Sequence, residues 1–111
     1  MNKRVKKLWL KALRSGKFKQ AQHTLREGRK NQFCCLGILC EVHNQTVGGQ
    51  WKANGDYFDT AGVLPEEVME WAKLKNDNPV VPYGKRNETL AGLNDSGKDF
   101  NFIADRIEKY L

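Results

Sequence analysis

Two adjacent thiols, Cys34 and Cys35, head the apolar run Cys34–Val42, and two histidines, His23 and His43, flank them in sequence. A cysteine at the start of a helix is a candidate nucleophile, because the positive end of the helix dipole favours the thiolate. Such a nucleophile needs a base within hydrogen-bond reach. His43 lies eight residues beyond Cys35, about 12 Å along a helix rising ~1.5 Å per residue, which is too far. His23 could reach from the preceding segment, with Gln20 as a donor to an oxyanion. Cys34, Cys35, Cys40 and His43 are also four potential zinc ligands, but structural sites use paired spacings such as C-x₂-C. On one helix only Cys40 and His43, at i and i+3, share a face. No metal is expected, and cysteines acting as small buried apolar groups account for the run.

Charge offers a second kind of chemistry. Residues 1–30 hold eleven Lys/Arg against one acid, Glu27, a net +10, while the remainder is −4 within an overall +6. A division of this size favours an oriented attraction for something anionic: a nucleotide, a nucleic-acid backbone or an acidic protein surface. Lys17, Lys19 and Gln20, followed by Arg26 and Arg29, are the expected ligand-binding set, with arginine supplying bidentate donors and lysine a mobile point charge. Trp51, with Trp9 and Phe18, offers a stacking surface for a base. A well-solvated face is the plain alternative. No Walker loop, dinucleotide glycine pattern, paired-aspartate site or zincin motif occurs, so no cofactor is expected.

The elements that must position these groups follow from periodicity. At 111 residues with 40% hydrophobic content and eleven aromatic side chains, the chain suits one small globular domain and not a disordered one. No apolar run approaches the ~18 residues of a membrane span, so no membrane partner is expected. Lysines interrupt Val5–Leu13, which argues against a signal peptide. An odd number of cysteines, two of them adjacent, fits a reducing cytoplasm better than a disulfide framework.

Val5, Leu8, Trp9, Ala12 and Leu13 predict an amphipathic helix over 3–14, stopped at Ser15-Gly16. Phe18–Leu25 and Gln32–Cys34, around a turn at 27–31, predict a β-hairpin. Cys35–Val42 predicts a buried central helix, ended by Asn44 and Gly48-Gly49. Trp51, Tyr57 and Phe58 anchor a loop-rich stretch that could pair as short strands. Pro65-Glu66-Glu67 starts a helix running to about Leu74, and 76–86 reads as a loop. Thr89–Asn94 forms a short helix. Asp99 caps a last helix with the stripe Phe100, Ile103, Ala104, Ile107, Tyr110 and Leu111. The expected fold is a single α+β domain: N-terminal helix, hairpin, central helix and C-terminal helical hairpin. That final pair has the look of a helix-turn-helix. No further helix follows to enter a groove, and Asp95, Asp99, Asp105 and Glu108 would repel a phosphate backbone, so a packed hairpin is the expectation.

These motifs also occur together elsewhere. Trp9-Leu10-Lys11-Ala12-Leu13-Arg14-Ser15-Gly16 with Phe18-Lys19-Gln20 resembles the opening of a family of small tailed-phage accessory proteins. Phe33-Cys34-Cys35-Leu36-Gly37-Ile38-Leu39-Cys40-Glu41 resembles that family's central signature. Leu64-Pro65 to Trp71-Ala72, Asn78-Pro79, Leu90 to Leu93-Asn94-Asp95, and Phe100 through Ile103-Ala104-Asp105 to Ile107-Glu108 are similar to its C-terminal half. The chain departs from that family's glycine-rich pattern after Gln20, with Ala21-Gln22-His23. The resemblance implies a protein outside the virion that works in the cytoplasm of an infected bacterium. By analogy with other small non-structural phage proteins it implies antagonism of host defence or takeover of host machinery.

Taken together, binding is favoured over catalysis. The leading expectation is a non-enzymatic protein that sequesters a phosphate-bearing nucleotide signal or covers an acidic host protein. A sequence-independent nucleic-acid binder is the alternative, and a cysteine enzyme using Cys34 or Cys35 with His23 comes after it. A homo-oligomer is compatible with all three.

Overall fold

A computed structural model describes residues 1–111. Helix α1 (Lys3–Arg14) begins where Asn2 Oδ1 accepts the Val5 N–H at 3.0 Å, and it buries Val5, Trp9, Leu10 and Leu13. This is the face that the 3.6-residue period requires. Trp9 is fully buried, and its indole Nε1 donates to the Cys35 carbonyl at 3.0 Å. That bond docks α1 on the first turn of α2 (Cys35–Thr46), the central helix, whose first six residues and Val42 and His43 are all buried.

Gly37 is the closest approach in the core. A Cβ there would overlap the Leu25 carbonyl, and the Leu25 segment is itself pinned by bonds from the Cys34 N–H (3.2 Å) and to the Ala61 carbonyl (2.7 Å). The glycine of the central signature is therefore a packing requirement.

The region between α1 and α2 differs from the expected hairpin. Strands β1 (Lys19–Gln20) and β2 (Gln32–Phe33) pair in parallel, Lys19 opposite Gln32 and Gln20 opposite Phe33. Only Arg26 meets Phe33 in an antiparallel bridge across the 27–31 turn. The chain thus winds a loop through 21–25 before returning, and β2 lies between the two. Turn signals locate a reversal, but they do not say which earlier segment the returning strand will choose. Within that loop His23 has φ +65°, a left-handed conformation that favours glycine. It is the position where glycine would be the easier residue, and Asp95 compensates by accepting the His23 N–H at 2.9 Å and lying 3.4 Å from its Nδ1.

Beyond α2, isolated bridges join Trp51 to Tyr57 and Tyr57 to Thr60. Helix α3 (Glu66–Ala72) follows Pro65 and stops at Lys73, which takes the left-handed conformation, two residues short of the expected end. The 76–86 stretch is not merely a loop. It supplies strand β3 (Val80–Tyr83), which pairs antiparallel with β4 (Arg86–Thr89) around Gly84. Proline at 82 hid this strand, although an edge position needs no donor from it. Helices α4 (Leu90–Asp95) and α5 (Phe100–Tyr110) are capped by Thr89 and Asp99. Helix α5 buries Ile103, Ala104 and Ile107 and packs on α1, whereas Tyr110 is exposed and does not join the core stripe. The result is an α+β domain of five helices and two small sheets around one core.

Asn94 is the polar centre of this core. It is fully buried. Its Oδ1 accepts from Gln20 Nε2 (2.8 Å) and the Cys35 N–H (3.2 Å), and its Nδ2 donates to the Ala21 carbonyl (2.8 Å) and Asp95 Oδ1 (3.1 Å). One side chain thereby ties β1, the loop after it, the N-terminus of α2 and α4.

Candidate functional site

The thiols are placed in the interior. Cys34 is the N-cap of α2, its Sγ accepting the Gly37 N–H at 3.4 Å, and the Cys35 thiol donates to the Leu90 carbonyl at 3.5 Å. The expected lowering by the helix dipole is reversed, because desolvation outweighs it. Burial pushes Cys34 up to about 11 and holds Cys35 and Cys40 well above the ordinary thiol value. His23 is turned to solvent, its side chain 76% exposed and beside Asp95. Gln20, the proposed oxyanion donor, spends its amide on Asn94 and on the Lys98 carbonyl at 2.7 Å. The three free cysteines should therefore resist iodoacetamide at pH 7.5 in the folded protein and react fully in denaturant. Mass spectrometry of quenched aliquots checks this; rapid single labelling of the native protein would contradict it.

The predicted cationic set divides. Arg26 is half-buried and closes its own turn, Nε donating to the Lys30 carbonyl (2.8 Å) and Nη2 to the Arg29 carbonyl (3.1 Å). Its guanidinium lies over Phe33 (4.9 Å) and Trp51 (5.3 Å). Trp51 is covered in turn and donates from Nε1 to Glu41 Oε1 at 2.9 Å, so neither is a free contact surface. Lys17, Lys19 and Arg29 are exposed. Of the eleven N-terminal cations only Arg14 has carboxylate partners, Asp105 and Glu108, both at 2.7 Å. Lys6 is spent on the Glu108 carbonyl. Lys3, Arg4, Lys7, Lys11, Lys17, Lys19, Arg29 and Lys30 are all exposed with no acidic partner.

Three of these eight line concavities: Lys30 lies in an open, polar one with Gln20, His23 and Glu27, and Lys11 and Lys17 flank a more enclosed one. A groove of about 300 Å³ runs between the C-terminal halves of α1 and α2, with Lys11 and Lys17 on one rim and Glu41, Gln45 and Thr46 on the other. Leu8, Ala12, Phe18 and Val42 supply its apolar lining. The volume is at the lower end for small-ligand sites, ~300–1,000 Å³. Both helices end here, so carbonyl acceptors and the negative ends of two dipoles meet the lysines. Glu41 adds two acceptor oxygens, already fixed by Trp51 and by Gln45 Nε2 at 2.8 Å. The groove is therefore bipolar: mobile cations on one side, oriented acceptors on the other. Sequence reading found Lys17 and Phe18 but not the opposite rim, because Glu41, Gln45 and Thr46 look like the solvated end of a buried helix.

A second cluster went unnoticed in sequence. His43 is 4% exposed, and its Nδ1 lies 2.6 Å from the Tyr57 hydroxyl within a group that includes Phe58 and Trp71. Burial lowers His43 below the usual value near 6.5 and raises Tyr57, so the pair is neutral and the phenol keeps its proton. The unfolded chain binds a proton at this histidine that the folded chain refuses. Stability should be complete above about pH 6.5 and fall as pH drops below it, until the folded pKa is reached. Melting curves between pH 7.5 and 5 should show that decline, and His43→Gln should flatten it; an unchanged slope would contradict the assignment.

No group of three or more His, Cys, Asp or Glu side chains is gathered closely enough to hold a metal ion. No helix is long and apolar enough to cross a membrane. Comparison with curated proteins and with solved structures returns no match. Residues 1–111 match, over their whole length, the family described as Domain of unknown function (DUF8296). The chain belongs to that family.

Proposed function

We propose that this domain is a non-enzymatic binding protein that sequesters a phosphate-bearing nucleotide in the groove between α1 and α2. The observation that carries the reading is the groove itself, with unpartnered Lys11 and Lys17 facing the acceptor rim of Glu41, Gln45 and the helix ends. Phosphate oxygens meet the lysines, while ribose hydroxyls and base amino groups, which are donors, meet the carboxylate and carbonyls. Bare phosphate satisfies only half of this site. The buried, high-pKa thiols support binding over thiol catalysis. The resemblance to tailed-phage accessory proteins supports a setting in the infected bacterial cytoplasm, where the ligand would be a nucleotide signal of host immunity.

Calorimetric titration with ATP, cyclic di-AMP and inorganic phosphate tests the proposal. At least one nucleotide should bind, more tightly than phosphate. Its salt dependence should be shallow, because only two cations are engaged. The Lys11→Ala/Lys17→Ala double variant should fold normally, since exposed cations contribute about 0–1 kcal/mol to stability. It should bind at least tenfold more weakly, as each charge-assisted bond is worth ~1.5–3 kcal/mol. Failure of both nucleotides to bind, or equal binding by the variant, would overturn it.

A further inference from the structure

Helix α5 sorts its charges onto separate sides. Asp105 and Glu108 turn to Arg14 on α1, and Ile103, Ala104 and Ile107 enter the core. The remaining side carries Phe102, Arg106 and Tyr110 at four-residue intervals, with Lys98 before them and Lys109 beside them. Strand β3 brings Tyr83 against this row, 6.0 Å from Phe102 and edge-on. The cations and rings alternate. Lys98 Nζ lies over Tyr83 (5.4 Å) and Phe102 (5.2 Å), Arg106 over Phe102 (5.3 Å) and Tyr110 (5.8 Å), and Lys109 over Tyr110 (5.4 Å). Arg86 extends the row beyond Tyr83 at 6.0 Å.

Six of the protein's eight cation–ring contacts therefore fall in one line. Arg106 makes no ion pair or hydrogen bond, and its Nε is the one buried side-chain polar atom left without a partner. A cation held between two rings, with no carboxylate to neutralise it, leaves its charge for an incoming group. Of the four cations only Arg86 approaches an acid, Glu88, and that separation is 4.0 Å.

We propose that this row, Tyr83–Lys98–Phe102–Arg106–Tyr110, is a binding surface for single-stranded nucleic acid. Rings and cations in alternation suit an unpaired strand: bases stack on the exposed Tyr110 ring and on the cation-capped edge of the row, and phosphates meet Lys98, Arg106 and Lys109. The half-buried Tyr83 and Phe102 hold Lys98 and Arg106 in place. Phe102 and Tyr110 are eight residues apart on the helix, which sets their rings about 12 Å apart along its axis, so bases must be spread apart to stack on both. A duplex cannot do this without unpairing. The surface lies in the half of the chain with net negative charge, and only folding separates its cations from the acids of the same helix. It shares no residue with the α1–α2 groove, and the two assignments stand or fall separately.

Fluorescence anisotropy of the full chain with labelled dT₂₀, U₂₀ and a 20-base-pair duplex tests the assignment. Single strands should bind more tightly than the duplex. Affinity should fall about 50-fold between 50 and 200 mM salt if four phosphates are neutralised. Tyr110→Ala, at an exposed position, should weaken binding about tenfold through lost stacking. Lys98→Gln/Lys109→Gln removes the charges and keeps most of each stem, should keep the wild-type melting curve, and should reduce the salt dependence. Lys11→Ala/Lys17→Ala should bind single strands like the wild type. No binding by the wild type, preference for the duplex, or wild-type affinity in both α5 variants would each overturn the proposal.

Discussion

Replacing Asn94 by Ala should lower stability by ~3 kcal/mol, a large share of the ~5–15 kcal/mol typical of a domain. The loss follows from what stays behind. The Cys35 N–H and the Ala21 carbonyl would remain buried without a partner, and Gln20 would keep only the Lys98 carbonyl. Each orphaned buried group costs ~1–3 kcal/mol, whereas the bonds themselves are worth less in net terms. In urea, with a slope of ~1.5 kcal/mol per molar, the midpoint should fall by roughly 2 M. Asn94→Asp should also destabilise, because a carboxylate oxygen in place of Nδ2 would face the Ala21 carbonyl and Asp95. A midpoint within about 0.5 M of wild type for both variants would remove Asn94 from the centre of the fold.

Gly37→Ala should cost a similar amount, ~3 kcal/mol, at the upper end of overpacking effects. Helix propensity alone argues the other way, since alanine is better than glycine inside a helix by ~1 kcal/mol. Steric overlap wins because the group met by the new methyl is the Leu25 backbone, held from both sides, and not the end of a flexible side chain. Gly62→Ala, where a Cβ meets open space, is the control and should change little. Thermal melting of the two variants side by side decides it; equal midpoints would mean that α2 can move off Leu25 at small cost.

These two positions mark what a sequence can carry. Helix α1 was legible to the residue because its signal is local: an apolar stripe of one period runs from Val5 to Leu13 and meets a Ser-Gly stop. The cap at Asp99 was legible for the same reason, whereas Thr89, expected as the first residue of its helix, is the cap of α4. Asn94 was not, because its partners lie as far away as Gln20, and nothing in an Leu-Asn-Asp triplet reveals an amide buried against another strand. The parallel pairing of β1 with β2 was missed on the same account. Charge was legible as a total but not in its placement. Arg26 counted as a binding cation and closes its own turn, whereas Arg106, in the acidic half, is the cation whose buried Nε has no hydrogen-bond partner. In the candidate groove, only Lys17 and Phe18 belong to the groups singled out in sequence; Lys11 and the facing rim required knowing which side of α2 meets α1.

The most direct test of nucleotide binding between α1 and α2 is amide chemical-shift mapping of the ¹⁵N-labelled protein during titration with ATP and with cyclic di-AMP. Saturable shifts should concentrate at Lys11, Ala12, Ser15, Lys17, Phe18, Gln45 and Thr46 for at least one of the two, and should vanish in Lys11→Ala/Lys17→Ala. Shifts confined to Tyr83, Phe102 and Arg106, or no saturable shifts with either nucleotide, would contradict the assignment of the groove.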